Sequence, residues 1–294
     1  MTSFFLDRTD LLLKSYRMNM PLSITITYSL LLFAIITFSM HKRKEGLALV
    51  ILTLIVGSIW GAISPFSSLF ALAGFIIITM THTKRTTMNL TMHMAFIAWC
   101  AALYFHWIPG FHNWQVLKEV YAGPESTAFT MYANLDKPLI FCALSFGWVQ
   151  VFGNHQSFRP RMLLLSASGL VGMLFLAWGL GAIRPEPTLP AWWWIFALNN
   201  LFLTCTTEEA LFRGYLQQGL CTKAGPWPAI AIASLLFGLS HYHGGSLLIA
   251  FASLAGIFYG IAFQYSSRLW VAILFHFLFN LNHLLVFTYP SATM

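Results

Sequence analysis

The sequence predicts an all-α, polytopic integral membrane protein with about eight to ten transmembrane helices. Of its 294 residues, 58% are hydrophobic and only 9% are charged, and the mean hydropathy is +0.70. A soluble domain carries roughly a quarter charged residues. Composition alone therefore excludes an ordinary soluble fold.

The apolar residues are grouped in about ten segments that are long enough, or nearly long enough, to cross a bilayer as helices. The third and fifth segments are short, so a re-entrant or tilted helix is the alternative for each of them. The ten segments centre on residues 22–40, 46–64, 66–80, 88–109, 138–153, 162–183, 191–219, 226–242, 246–265 and 269–289.

Charge in the loops predicts the orientation. The formal net charge is +7, but the basic residues are spread over short loops between segments, so nucleic acid is not an expected partner. Loops after odd-numbered segments contain nine Lys and Arg, against six on the other side together with six acidic residues. The positive-inside rule then places the odd-numbered loops in the cytoplasm and both termini outside.

Features outside the apolar segments are less specific. The first 20 residues are interpreted as a short amphipathic helix on the membrane surface, with a disordered tail as the alternative. Aromatic residues in loop 110–137 are typical of the headgroup level, and a rim or lid is the alternative there. The cysteines show no metal-ligand spacing and are interpreted as ordinary thiols, mostly buried in apolar segments: Cys100, Cys142, Cys205 and Cys221.

Polar residues divide the chain into two parts. Residues 1–160 hold five segments with almost no ionisable group at membrane depth, and His93 and His106 are interpreted as interfacial or packing residues. From about residue 190, polar and charged residues occur within the segments themselves. We therefore expect 1–160 to be transmembrane helices without a motif and 161–294 to be the functional core.

The stretch TTEEALFRG, residues 206–214, places three ionisable side chains in one apolar segment. Such residues are costly in a bilayer and usually mark function. Glu209 and Arg213 are four residues apart on one helical face, so they can form a buried ion pair. Glu208 lies about 100° around the helix from Glu209 and lacks a local partner. A group from another helix is expected to meet it.

Two further helices offer such groups. FGLSH ends in His241, and HFLFN places His276 and Asn280 one turn apart. The alternation of segments places the turns at 221–226 and 266–268 on the same side of the membrane. At a rise of about 1.5 Å per residue, Glu208 lies about 18 Å and His241 about 22 Å from the turn at 221–226. By the same rise, His276 lies about 12 Å and Asn280 about 18 Å from the turn at 266–268. The four side chains are thus expected in one layer inside the apolar core.

These residue types fit hydrolysis of an amide. A carboxylate beside an imidazole can take a proton from water and make it a nucleophile. A second imidazole with a carboxamide offers N–H donors for the oxyanion that forms when water attacks a peptide carbonyl. The sequence has neither a G-x-S-x-G elbow nor an H-E-x-x-H helix, and no serine or cysteine nucleophile is needed.

Three motifs give a family resemblance. EEALFR matches E-E-x-x-x-R, FGLSH matches F-x-x-x-H, and HFLFN matches H-x-x-x-N. In this order and spacing, over roughly residues 190–285, they resemble the CAAX-protease and bacteriocin-processing family, also called the Abi family, whose eukaryotic members are type II CAAX prenyl endopeptidases. The resemblance implies that 161–294 is an intramembrane protease core.

The resemblance also implies roles for individual residues. Glu208 is the general base, assisted by His241, while His276 and Asn280 form the oxyanion hole. Glu209 and Arg213 support the site. The expected mechanism uses glutamate without metal or other cofactor, and zinc held by Glu208, His241 and His276 is the alternative.

Other polar or small residues in this half have simpler explanations. Asn199 and Asn200 are interpreted as interhelical hydrogen-bonding residues, and the spacing of Gly256 and Gly260 is typical of close helix packing. Solvation near a helix end explains His243 and His283 as well as a role in the site does. The tryptophans at 192–194 fit an interfacial anchor.

The functional hypothesis is an intramembrane endopeptidase acting on a membrane-embedded or membrane-associated peptide or protein. The expected location is the bilayer of a bacterial inner membrane. Two alternatives remain: a proton-coupled transporter, which would be expected to show inverted repeats, and a non-catalytic bacteriocin-immunity or interaction protein.

Overall fold

The computed structural model describes residues 20–82, 86–154 and 158–293. The amphipathic helix expected at the N-terminus lies outside the described residues. The chain is 72% helical with almost no sheet, so the predicted all-α membrane fold is confirmed. Each of the ten apolar segments contains a helix.

The described part of the N-terminal half contains five α-helices. They are α1 (Leu22–Ser39), α2 (Arg43–Ile59), α3 (Pro65–Met80), α4 (Thr86–Tyr104) and α5 (Pro138–Gly147). The sequence fixes the start of α3, because Pro65 occupies its first turn and the Ser64 hydroxyl accepts a hydrogen bond from the Ser67 N–H.

Helix α5 is the shortest of the five and the most enclosed. It has 10 residues, about 15 Å of helix, so it reaches only about half-way through a bilayer core. Residues 138–145 are all buried, and α5 packs against α1, α2, α3 and the helix that carries Glu208. The short fifth segment is therefore an internal helix around which the others pack.

The C-terminal half begins with α6 (Pro160–Gly179). After a non-helical connection, one unbroken helical run spans 193–224 and alternates between α- and π-helical pieces. This run is here called the motif helix. These pieces are α7 (Trp193–Leu198), a π-helical stretch (Asn199–Cys205), α8 (Thr206–Glu209), a second π-helical stretch (Ala210–Gln217) and α9 (Gln218–Ala224). The last helices are α10 (Pro226–Leu239), α11 (Gly245–Ser266) and α12 (Leu269–Val286).

The π-helical stretches determine which side chains share a face of the motif helix. Their i→i+5 bonding differs from that of an α-helix, and π-helical insertions occur frequently at functional sites. The Thr206 hydroxyl accordingly bonds to Leu201 O and the Cys205 thiol to the Asn200 side chain, each five residues back. Glu208 and Glu209 lie in the short α-helical piece between the two stretches.

The loop expected over 110–137 contains a β-hairpin. Strands β1 (Trp114–Val120) and β2 (Phe129–Ala133) pair antiparallel, with irregular register between them. Their buried residues Leu117, Val120 and Met131 pack with Phe196 of α7 and Leu284 of α12. The hairpin therefore covers the ends of two of the helices that form the site.

The chain is an integral membrane protein. Among the described residues, four helical stretches are long and apolar enough to span a membrane: Leu22–Ser39, Pro160–Gly179, Tyr242–Ser266 and Leu269–Val286. Large apolar side chains such as Leu69 and Leu164 are 68% exposed, as lipid-facing residues are.

Candidate active site

Glu208 is buried in the centre of the helical bundle, 3% exposed. Its Oε1 accepts a hydrogen bond from the Tyr104 hydroxyl, at 2.8 Å. Its Oε2 is also buried and has no hydrogen-bond partner among the described residues. A buried polar atom left unpaired is unfavourable unless a ligand or water meets it. This oxygen is therefore the one available to a reacting molecule.

His241 follows α10 in the turn that leads to α11. Helix α10 ends at Leu239, so His241 lies two residues beyond the end of that helix. Its Nδ1 lies 2.9 Å from Phe237 O, and a carbonyl only accepts, so Nδ1 carries a proton. In the neutral imidazole Nε2 is then an acceptor, as a general base requires.

Intermediate contacts connect Glu208 with the elements that carry the two histidines. The Tyr104 hydroxyl lies 2.8 Å from Glu208 Oε1 and 3.2 Å from Oγ of Ser240, the residue before His241. His276 contacts Glu209, the residue that follows Glu208. A shared role for Glu208 and the two histidines stays a prediction.

Glu209 has a different set of partners. Its Oε2 lies 3.2 Å from Arg213 Nε and its Oε1 lies 2.8 Å from His276 Nδ1. The side chains of Glu209 and Arg213 are both 0% exposed. The ion pair expected from their spacing is present, and it extends to an imidazole on α12. Glu209 is thus an internal counter-ion for two neighbours.

Arg213 also bonds to the backbone of α11. Its Nη2 donates to Gly256 O at 3.1 Å, and four residues later the Gln217 amide donates to Gly260 O at 3.0 Å. The two glycines let the helices approach closely enough for this pairing. The packing role expected for them is confirmed.

Aromatic rings hold His276 in place. It stacks on Tyr259, with ring centroids 4.5 Å apart, and meets the edge of Phe237 at 5.6 Å. Because Nδ1 faces the Glu209 carboxylate, Nε2 is the nitrogen left to face a reactant.

Asn280 lies one turn beyond His276 on α12. Its amide nitrogen is 3.3 Å from the Asn200 side-chain oxygen and 3.9 Å from the Cys205 sulfur. The bond to Asn200 joins two helices, as expected for that residue. Both contacts are long, so redirecting the amide towards a reactant gives up little hydrogen-bond energy.

A comparison with protein families matches this part of the chain. The family of type II CAAX prenyl endopeptidases, Rce1-like, matches residues 190–282. Residues 190–282 are thus similar to this family. Searches of curated proteins and of solved structures found no match. The Rce1-like segment contains all six residues singled out from the motifs.

The surroundings of the Rce1-like segment include residues that the motifs do not contain. Tyr104 and Lys137 come from the N-terminal half, and Lys137 Nζ lies 4.2 Å from the centre of the Tyr104 ring. Tyr104 stands two residues before His106, in a stretch with no distinguishing pattern. The sequence predicted that a group from another helix contacts Glu208, but it did not identify Tyr104 as that group.

Four other histidines considered in the sequence have contacts elsewhere. His93 contacts the Tyr215 hydroxyl, His106 contacts Asp136 at 2.6 Å, and His283 donates to Thr288 O. His243 stacks on Tyr242. None of these contacts is with Glu208 or Glu209.

A metal fits the observed geometry poorly. Among the described residues, no group of three His, Cys, Asp or Glu side chains is placed to hold a metal ion. We therefore derive no chemical step through zinc.

Proposed function

We propose that the protein is an intramembrane endopeptidase that hydrolyses a peptide bond of a membrane-embedded or membrane-associated substrate. The observation that carries the proposal is Glu208. Its carboxylate is buried, Oε1 accepts a hydrogen bond from Tyr104, and Oε2 has no hydrogen-bond partner among the described residues. The similarity of 190–282 to the Rce1-like family supports the same activity.

In the proposed reaction Glu208 acts as general base through Oε2. It takes one proton from a water molecule while the water oxygen bonds to the substrate carbonyl carbon, and the C=O π electrons move to the oxygen. His241 presents Nε2 to the same water. The C–N bond then breaks, and the proton held by Glu208 passes to the departing amine nitrogen. The products are a carboxylic acid and an amine.

In the proposed reaction His276 and Asn280 donate hydrogen bonds to the oxyanion. Nε2 of His276 carries a proton when the ring is an imidazolium, and the Glu209 carboxylate at Nδ1 stabilises that positive charge. The Asn280 amide turns from Asn200 to supply the second N–H. Donors placed where negative charge develops are among the largest contributors to catalysis.

The experiment compares membrane peptides from cells expressing wild type, Glu208→Gln or Glu45→Gln. Glu45 is exposed at the start of α2, so its substitution makes the same chemical change away from the site. We expect cleavage products, identified by mass, in wild type and Glu45→Gln but not in Glu208→Gln. The same products at equal yield in all three strains would refute the proposal.

A further inference from the structure

Tyr104 is the group from another helix that meets Glu208. It ends α4, about a hundred residues before the motif helix, and is 5% exposed. Its hydroxyl lies 2.8 Å from Glu208 Oε1 and 3.2 Å from Ser240 Oγ. Tyr104 therefore connects the carboxylate with the residue next to His241.

The protons in this group can be assigned. Ser240 lies 2.7 Å from Phe237 O, which can only accept, so the single hydroxyl proton of Ser240 goes there. An ionised carboxylate also only accepts, so the Tyr104 proton points to Glu208. Ser240 Oγ keeps a lone pair that faces Tyr104.

This arrangement suits a carboxylate that gains and loses a proton. While Glu208 is ionised, Tyr104 donates to it. When Oε2 takes a proton from water in the proposed reaction, Oε1 keeps its lone pairs, so Tyr104 can continue to donate to it. A hydrogen bond at Oε1 therefore persists in both states, and Oε2 is kept clear for the reactant.

The Tyr104 ring itself is held on several sides. Lys137 Nζ lies 4.2 Å from its centre, and the edge of Phe212 from the motif helix meets it at 5.9 Å. A ring fixed in this way gives its hydroxyl one position, which in turn restricts the carboxylate.

We propose that Tyr104 is a positioning residue for Glu208, supplied by the N-terminal half of the chain. The inference rests on the proposed peptidase function. It gives α4 a part in the site, although the family match is confined to 190–282.

The test uses Tyr104→Phe, which removes only the hydroxyl. Tyr215→Phe is the matched control, because it removes another buried tyrosine hydroxyl, one that bonds to His93 instead. We expect Tyr104→Phe to lower kcat by about ten- to a hundred-fold, the rate equivalent of one hydrogen bond to a charged group, with KM unchanged. Tyr215→Phe should keep the wild-type kcat.

Three results would overturn the inference. They are a wild-type kcat in Tyr104→Phe, a change in KM alone, and equal losses of kcat in both tyrosine variants. The last would mean that packing explains the effect.

An infrared difference spectrum separates this inference from the peptidase proposal. Wild type minus Tyr104→Phe should show a shifted carboxylate stretching band, and the shift should vanish when both proteins carry Glu208→Gln. Absence of the shift would refute the positioning role even in an active enzyme. A wild-type protein that cleaves nothing yet shows the shift would refute only the peptidase proposal.

Discussion

Nδ1 of His276 lies 2.8 Å from Oε1 of Glu209, so the second glutamate of the pair, not the first, contacts this imidazole. Two carboxylates adjacent in sequence therefore have different surroundings. Oε2 of each glutamate lacks a hydrogen bond among the described residues, but that of Glu209 lies 3.2 Å from Arg213 Nε in an ion pair. This difference separates a structural role from a chemical one and leads to contrasting predictions for the two residues.

Substitution of Glu209 should destabilise the protein. Glu209→Gln leaves Arg213 buried without its counter-ion, and breaking a buried pair costs about 3–5 kcal/mol. Glu125→Gln is the matched control, because Glu125 pairs with Arg184 at the surface and both side chains are more than half exposed. That change should cost at most about 1 kcal/mol. Thermal unfolding of the two variants in nanodiscs measures these costs. Equal melting temperatures for Glu209→Gln and Glu125→Gln would contradict the structural role assigned to Glu209.

A side chain at Gly256 should weaken the packing of α11 against α10 and the motif helix. A Cβ there would lie 3.0 Å from Ser234 Cβ and 3.2 Å from Arg213 Nη2. Gly256→Ala is expected to lower the free energy of unfolding by about 1–3 kcal/mol through overpacking. Gly172→Ala in α6 meets open space and should be neutral or stabilising by up to about 1 kcal/mol. A melting temperature for Gly256→Ala at or above that of Gly172→Ala would refute this account of the packing.

Asn280→Ala should impair catalysis without loss of fold. Removal of one oxyanion donor typically lowers kcat by about a hundred- to a thousand-fold. Asn282→Ala provides the control, since Asn282 is exposed on the same helix and its amide bonds only to Leu278 O. Turnover by the purified variants is the measurement. If the two alanine variants keep the same kcat, Asn280 is not an oxyanion donor.

Chelation should leave the reaction unaffected. The described residues place no three metal-binding side chains together, and the proposed water activation uses Glu208 and His241 alone. The cleavage rate of purified enzyme should therefore be the same before and after treatment with a zinc chelator. Loss of activity that added zinc restores would contradict the glutamate mechanism.

Periodicity and hydropathy anticipate most of the fold. The apolar segments are helical, and spacing alone gives the ion pair between Glu209 and Arg213. The hairpin was not predicted, because its strands pair irregularly and its few buried residues pack against distant helices instead of following a clear alternation. The π-helical stretches were also not predicted, since apolar spacing does not distinguish i→i+5 from i→i+4 bonding.

The site was anticipated less completely than the fold. Helical rise predicts one depth for Glu208, His241 and His276, but it does not predict which carboxylate contacts which imidazole. That choice depends on helix rotation, which the π-helical stretches alter. Tyr104 comes from a distant helix with an ordinary apolar sequence, so only the tertiary contacts reveal it.

The kcat of purified Glu208→Gln in nanodiscs tests the central claim most directly, with Glu45→Gln as the control. Gln keeps the size of the side chain and its bond with Tyr104 but cannot take a proton from water. General-base catalysis contributes about a hundred- to ten-thousand-fold, so kcat should fall by that factor while the melting temperature is kept. A folded Glu208→Gln protein that turns over as fast as Glu45→Gln would contradict the account.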